Sequence, residues 1–196
     1  MVKVDTLRRR FNSSLAWLVL GLLAIVLLGL LAAQGCASSA QNVRNDQNAE
    51  QGGLPPAPKV GRMAPDFILL DLDGNAVALS DFRGRAVFIN FWATWCPPCR
   101  VEMPDIEAIH QGYKNKDVMV IGVDILEAEN VVRQYVQQGG FSWTFVIDTT
   151  GEVADNYGII AIPTSFFLDK EGVIRAVDVG AIAERAMESQ LAKAMK

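Results

Sequence analysis

Phe91-Trp92-Ala93-Thr94-Trp95-Cys96-Pro97-Pro98-Cys99-Arg100 decides the reading of this chain. Two cysteines stand two residues apart, directly after an apolar run from Ala86 to Trp92. A segment rich in helix formers follows. Such a run reads as a buried strand that delivers the pair to the first turn of a helix. Cys96 then occupies the helix N-cap or N1. Unpaired backbone N–H groups and the helix dipole favour negative charge there. A thiolate is the nucleophile of disulfide exchange. Cys99, one turn on, is placed to attack a mixed disulfide. Pro97 and Pro98 fit the first helical positions, where a missing N–H costs little.

Two plainer readings compete. A structural zinc site needs about four ligands. Outside the pair the chain offers only Cys36 and His110. His110 falls late in the helix as an ordinary amphipathic-helix residue. An inert structural disulfide is the other reading, but a two-residue spacer on a helix start predicts an exposed, exchangeable bond. Redox chemistry is therefore expected. No metal is expected, and no cofactor beyond the Cys96–Cys99 couple.

The run Asn90 to Arg100, followed by Glu102-Met103-Pro104, resembles the active-site stretch of TlpA/ResA-like membrane-anchored thiol-disulfide oxidoreductases. These belong to the AhpC/TSA-redoxin branch of the thioredoxin superfamily. The resemblance spans about residues 60–190. It implies an α/β thioredoxin-like fold: a central mixed sheet flanked by helices, with an added N-terminal β-hairpin. It implies that Pro163 is the cis-proline facing the Cys-x-x-Cys. The backbone of Ile162 would then be open to an extended substrate, with Thr164 beside it. It also implies that Glu127 approaches the cysteines and deprotonates Cys99, with Asp124 as the nearest rival. Asn90 departs from thioredoxin itself, which carries an acid at that place. By the same analogy, partners are cysteine-containing envelope proteins, among them apocytochrome c, and a transmembrane electron donor re-reduces the pair.

Other residues near the pair read as follows. Trp92 is assigned to packing. Trp95, with Pro97 and Pro98, is assigned to substrate contact. Arg100 and Glu102 read as surface residues of the helix. Neither Pro97 nor Pro98 has an N–H to give to the Cys96 thiolate. A Cys96 pKa of about 7–8.5, well above the ~3.5 of a strong oxidant, follows. A less stabilised thiolate makes the dithiol the better reductant.

Outward from this centre, the 196 residues allow one domain with attachments. Residues 1–14 form a basic head, with Lys3, Arg8, Arg9 and Arg10 against Asp5. Residues 15–33 carry no charge. Their length matches the ~30 Å hydrocarbon core of a bilayer. A single-pass anchor is expected. Cleavage near Ala33 or Ala37 and lipidation of Cys36, in Ala33-Gln34-Gly35-Cys36, stay open as alternatives. Arg8-Arg9-Arg10-Phe11 is a weak echo of a twin-arginine signal. The positive-inside rule puts the N-terminus in the cytoplasm and the rest outside, where disulfides are permitted. Residues 34–58, ending in Pro55-Pro56-Ala57-Pro58, read as a flexible linker. Outside the basic head the chain is net acidic, which argues against nucleic-acid binding.

The folded domain is assigned to 59–196. Asp73-Gly74-Asn75 marks a hairpin turn between Ile68–Leu72 and Ala76–Leu79. A helix is expected from Pro97 to about Tyr113, kinked at Pro104. Strands are expected at Val118–Ile125, Thr144–Ile147, Ser165–Asp169 and Val173–Asp178. Further helices are expected at Glu129–Gln138, Gly151–Tyr157 and Ile182–Met195. A thiol peroxidase, a disulfide oxidase and a non-catalytic binder of unfolded segments are the rival functions. The peroxidase reading is weakened because Thr94 lies only two residues before Cys96 and no proline precedes it at the peroxiredoxin spacing.

Overall fold

The computed structural model describes residues 55–196. The head, the apolar span, Cys36 and most of the linker lie outside the described residues. Among the described residues, no helix is long and apolar enough to cross a membrane.

Seven strands form one mixed sheet in the order β2-β1-β5-β4-β3-β6-β7. Strands β1 (Ile68–Asp71) and β2 (Ala76–Ala78) make the N-terminal hairpin, and a 3-10 turn covers Leu79–Phe82. The centre is β3 (Ala86–Trp92), parallel to β4 (Val118–Ile125), which is parallel to β5 (Thr144–Asp148). Strand β6 (Thr164–Leu168) runs antiparallel to β3, and β7 (Ile174–Val179) closes that edge. All seven residues of β3 are buried. A strand covered on both faces needs no polar alternation, so an unbroken apolar run is its signature.

Among the described residues, four helices cover the faces: α1 (Pro97–Tyr113), α2 (Glu129–Gly139), α3 (Glu152–Asn156) and α4 (Glu184–Ala194). Cys99, Met103, Ile106 and Ile109 of α1 pack in one layer with Val132 and Val136 of α2 and Met187 and Leu191 of α4. Phe88, Trp92, Val118, Val120 and Phe145 meet them from the sheet. Val87, Ile89, Phe91, Ile121, Val123 and Phe166 point to the other face. Phe67, Leu79, Val153 and Tyr157 cover that face.

The sequence boundaries shift by a residue or two where turn chemistry takes over. Gly140, at φ 67°, ends α2 in the left-handed conformation that glycine tolerates best. The C-terminal helix starts later than expected, because Ile182 is held by Glu102 and the helix is capped at Ala183. Helix α1 continues as one element through Pro104.

Candidate active site

The active site stands where β3 ends and α1 begins. Cys96 is the N-cap of α1, in extended backbone, with Pro97 and Pro98 at N1 and N2. The dihedral preset by proline suits those positions. Cys96 and Cys99 form a disulfide, with Cα atoms 5.3 Å apart. Cys96 Sγ lies 3.2 Å from the backbone N of Cys99, which donates to it. The two prolines remove two donors, and this third one remains. Both cysteines are buried, Cys96 at 2 % exposure. The expectation of an exposed disulfide is therefore corrected. The helix start presents the sulfurs inward, into the layer with Ala93, Met103 and Trp92, and a partner must reach them past the rim.

That rim is built by neighbouring loops. The Ile162–Pro163 peptide bond is cis. The carbonyl oxygen of Ile162 lies 3.7 Å from Cys96 Sγ. Thr164 is buried and donates its hydroxyl to the Ala161 carbonyl at 2.7 Å, which ties the loop before β6. Trp95 is 65 % exposed beside the pair, and Ile160 is almost wholly exposed. Pro97 and Pro98 are exposed on the same end. Trp92, by contrast, is buried against Tyr135 and Phe145. Arg100 is exposed, its guanidinium 5.9 Å from the centre of the Tyr135 ring.

Glu127 is half-buried on the loop between β4 and α2. Its carboxylate accepts the Thr94 backbone N–H at 2.5 Å and the Thr94 hydroxyl at 2.6 Å. Each carboxyl oxygen thus holds the residue two before Cys96. Glu127 holds the approach loop through these two contacts. Asp124 is fully buried at the end of β4, and neither of its oxygens has a hydrogen-bond partner. Burial first, then the adjoining Glu127 carboxyl, push it up to about 9.

Glu102 requires a correction. The sequence reading placed it on the surface, but it is 2 % exposed. Asn90 donates to it at 2.8 Å and the Ile182 N–H at 3.1 Å. Asn90 also donates to the Ser165 hydroxyl at 3.0 Å, joining β3, α1 and β6. Burial pushes the Glu102 carboxyl up to about 7, against the lowering effect of those two hydrogen bonds. The signal was available. Glu102 lies three residues after Cys99 and four before Ile106, on the stripe that faces the sheet. A buried amide at Asn90 on the facing strand was its waiting partner.

Among the described residues, no cluster of three or more His, Cys, Asp or Glu forms a metal site. Fold and site together define a thioredoxin-like thiol-disulfide oxidoreductase. The Redoxin family model matches residues 59–195, and the chain belongs to that family, in its TlpA/ResA-like branch. Thiol-disulfide oxidoreductase ResA of Bacillus thuringiensis subsp. konkukian is 38 % identical over 135 residues, 69 % of this chain and 78 % of the relative. ResA of Geobacillus thermodenitrificans is 34 % identical over 167 residues, 85 % of this chain and 91 % of the relative. Among solved structures, a thiol:disulfide interchange protein of the thioredoxin family from Chlorobium tepidum superposes with TM-score 0.63 at 27 % identity. It covers 72 % of this chain and 97 % of that one.

Proposed function

We propose that the protein is a membrane-tethered reductant of disulfides in extracytoplasmic partner proteins. The observation that carries this reading is the Cys96–Cys99 disulfide at a helix N-cap, beside the cis Ile162–Pro163 bond. In the reduced protein the Cys96 thiolate attacks one sulfur of a partner disulfide. The partner's other sulfur leaves as a thiolate and takes a proton. Cys99 then loses its proton and attacks Cys96 Sγ. The mixed disulfide breaks, the second partner thiol is freed, and Cys96–Cys99 closes. Two electrons have passed to the partner. A transmembrane electron donor must return them, because the compartment itself is oxidising.

The residues divide the work. Cys96 is the nucleophile and Cys99 the resolving thiol. Trp95, Pro97, Pro98, Ile162, Pro163 and Thr164 form the surface on which a partner segment lies. An extended segment pairs with the Ile162 backbone as an added strand. Glu127 fixes Thr94, two residues before Cys96, and by the family analogy is the carboxylate that takes the Cys99 proton. Glu102 accepts hydrogen bonds from Asn90 and Ile182 and so ties the helix that carries Cys99 to β3 and to the start of α4. Partners are cysteine-containing envelope proteins, with apocytochrome c the family analogy. The anchor is residues 15–33, with the N-terminus in the cytoplasm.

Trapping tests the reading. The Cys99→Ser protein accumulates mixed disulfides with partners, visible on non-reducing gels, and the Cys96→Ser protein does not. Equal adducts with Cys96→Ser would overturn the assignment. Consumption of peroxide by Cys99→Ser would instead make the protein a thiol peroxidase.

A further inference from the structure

Asp124 has the same strand parity as Val118 and Val120, so its side chain enters the layer that holds both cysteines. It is fully buried, and both its oxygens lack a hydrogen-bond partner. A carboxylate in that state is costly, and a buried acid without a counter-charge keeps its proton. Its neighbours in register are Trp92 on β3 and Ile147 on β5, neither of them charged. Among the described residues, the charged group acting on it is Glu127. Leu126, between the two acids, sits at φ 62°, a left-handed turn that costs a leucine about 1–2 kcal/mol. That turn folds Glu127 back toward Asp124 while Glu127 holds Thr94.

We propose that Asp124 is the protonated half of a carboxyl pair with Glu127, and that this pair positions the Ala93–Thr94–Trp95 approach to Cys96 and so tunes the reactivity of that thiol. The inference rests on the thiol-disulfide reading of Cys96. Protonated Asp124 has an O–H to give to the Glu127 carboxylate, which accepts two hydrogen bonds from Thr94 on its other side. Ionising Asp124 sets two negative charges against each other in a buried place. Glu127 is then driven off Thr94, and the loop before Cys96 loosens. Asp124 touches no sulfur in this scheme and transfers no electrons. It is a positioning residue.

The test uses the full chain in detergent, in a Cys99→Ser background. The rate of Cys96 alkylation by iodoacetamide is followed against pH. With Asp124 present, the profile has the thiol inflection and a second inflection near pH 9, where Asp124 ionises. Asp124→Asn, which keeps a neutral donor toward Glu127, loses the upper inflection and keeps the lower. Glu127→Gln removes the neighbouring charge and moves the upper inflection to lower pH, so the test survives a misfolded Asp124→Asn. Infrared spectroscopy at about pH 8, above the Glu102 range, adds a protonated-carboxyl band that Asp124→Asn lacks and Glu102→Gln keeps. A single inflection in all three proteins, or a band unaffected by Asp124→Asn, would overturn the proposal. Failure of Cys96 to alkylate in any protein would instead remove the thiol-disulfide reading beneath it.

Discussion

Replacing Glu102 by glutamine removes one titration from the core, and its size can be worked out. In the folded protein burial raises the Glu102 carboxyl from 4.5 to about 7. The folded state therefore binds a proton between those values that the unfolded chain has released. Stability contributed in this way is complete below pH 4.5 and is lost as pH rises through 7. Each pKa unit is worth about 1.4 kcal/mol, so the whole loss is about 3 kcal/mol, to be discounted for the water that reaches the site on relaxation. Glutamine keeps one oxygen for Asn90 or Ile182 and sets an amide against the other donor. The variant is thus the less stable protein in acid by about 1–3 kcal/mol. Its deficit shrinks, and its stability approaches or passes that of the native protein, as pH rises to about 8. Urea titrations of the oxidised proteins across this range, followed by tryptophan fluorescence, give the difference at each pH. Asp124 titrates in both proteins and cancels in that difference. A difference that is flat between pH 4.5 and 7 would refute the buried, proton-holding Glu102.

Asn90→Ala removes two buried hydrogen bonds and costs about 2–4 kcal/mol in urea unfolding. It also moves the Glu102 titration upward, because the Asn90 bond is one of the contacts that lower it. Gly122→Ala puts a methyl 3.0 Å from Phe145 and Trp143 and 3.1 Å from Trp92. All three are core aromatics, so thermal denaturation should show a loss of about 1–3 kcal/mol. Leu126→Gly relieves the left-handed leucine at an exposed position, and the same assay should show a gain of about 1 kcal/mol or less.

The local parts of the fold were legible because each carries its own signature. An unbroken apolar run from Ala86 to Trp92 announces a strand covered on both faces. Asp73-Gly74-Asn75 announces a turn, and Asp71 ties it by accepting the N–H groups of Asp73 and Asn75, each at 2.8 Å. What depends on distant partners was not legible. The pairing of β1 with β5 joins Leu70 to Ile147 across the chain, and no local pattern near Leu70 encodes it. For Glu102 the helix stripe gave the buried side, but not the partners that make burial of its carboxyl tolerable. A glutamate on a helix is ordinarily solvated, and only the joint placement of Asn90, Ser165 and Ile182 makes a buried position tolerable. The two cysteines were legible as a pair but not in their exposure, since the rim that covers them comes from the loop before β6. Glu127 was singled out by resemblance. Its hold on Thr94, and the unpartnered state of Asp124 behind it, emerge only when the β4–α2 loop is folded against β3.

The central claim is that the Cys96–Cys99 couple gives electrons to its partners. Its midpoint potential, measured on the full chain in detergent against glutathione and dithiothreitol buffers, tests this most directly. The account predicts a value near or below about −250 mV, close to that of thioredoxin. A value near about −120 mV would make the couple an oxidant and would contradict the account.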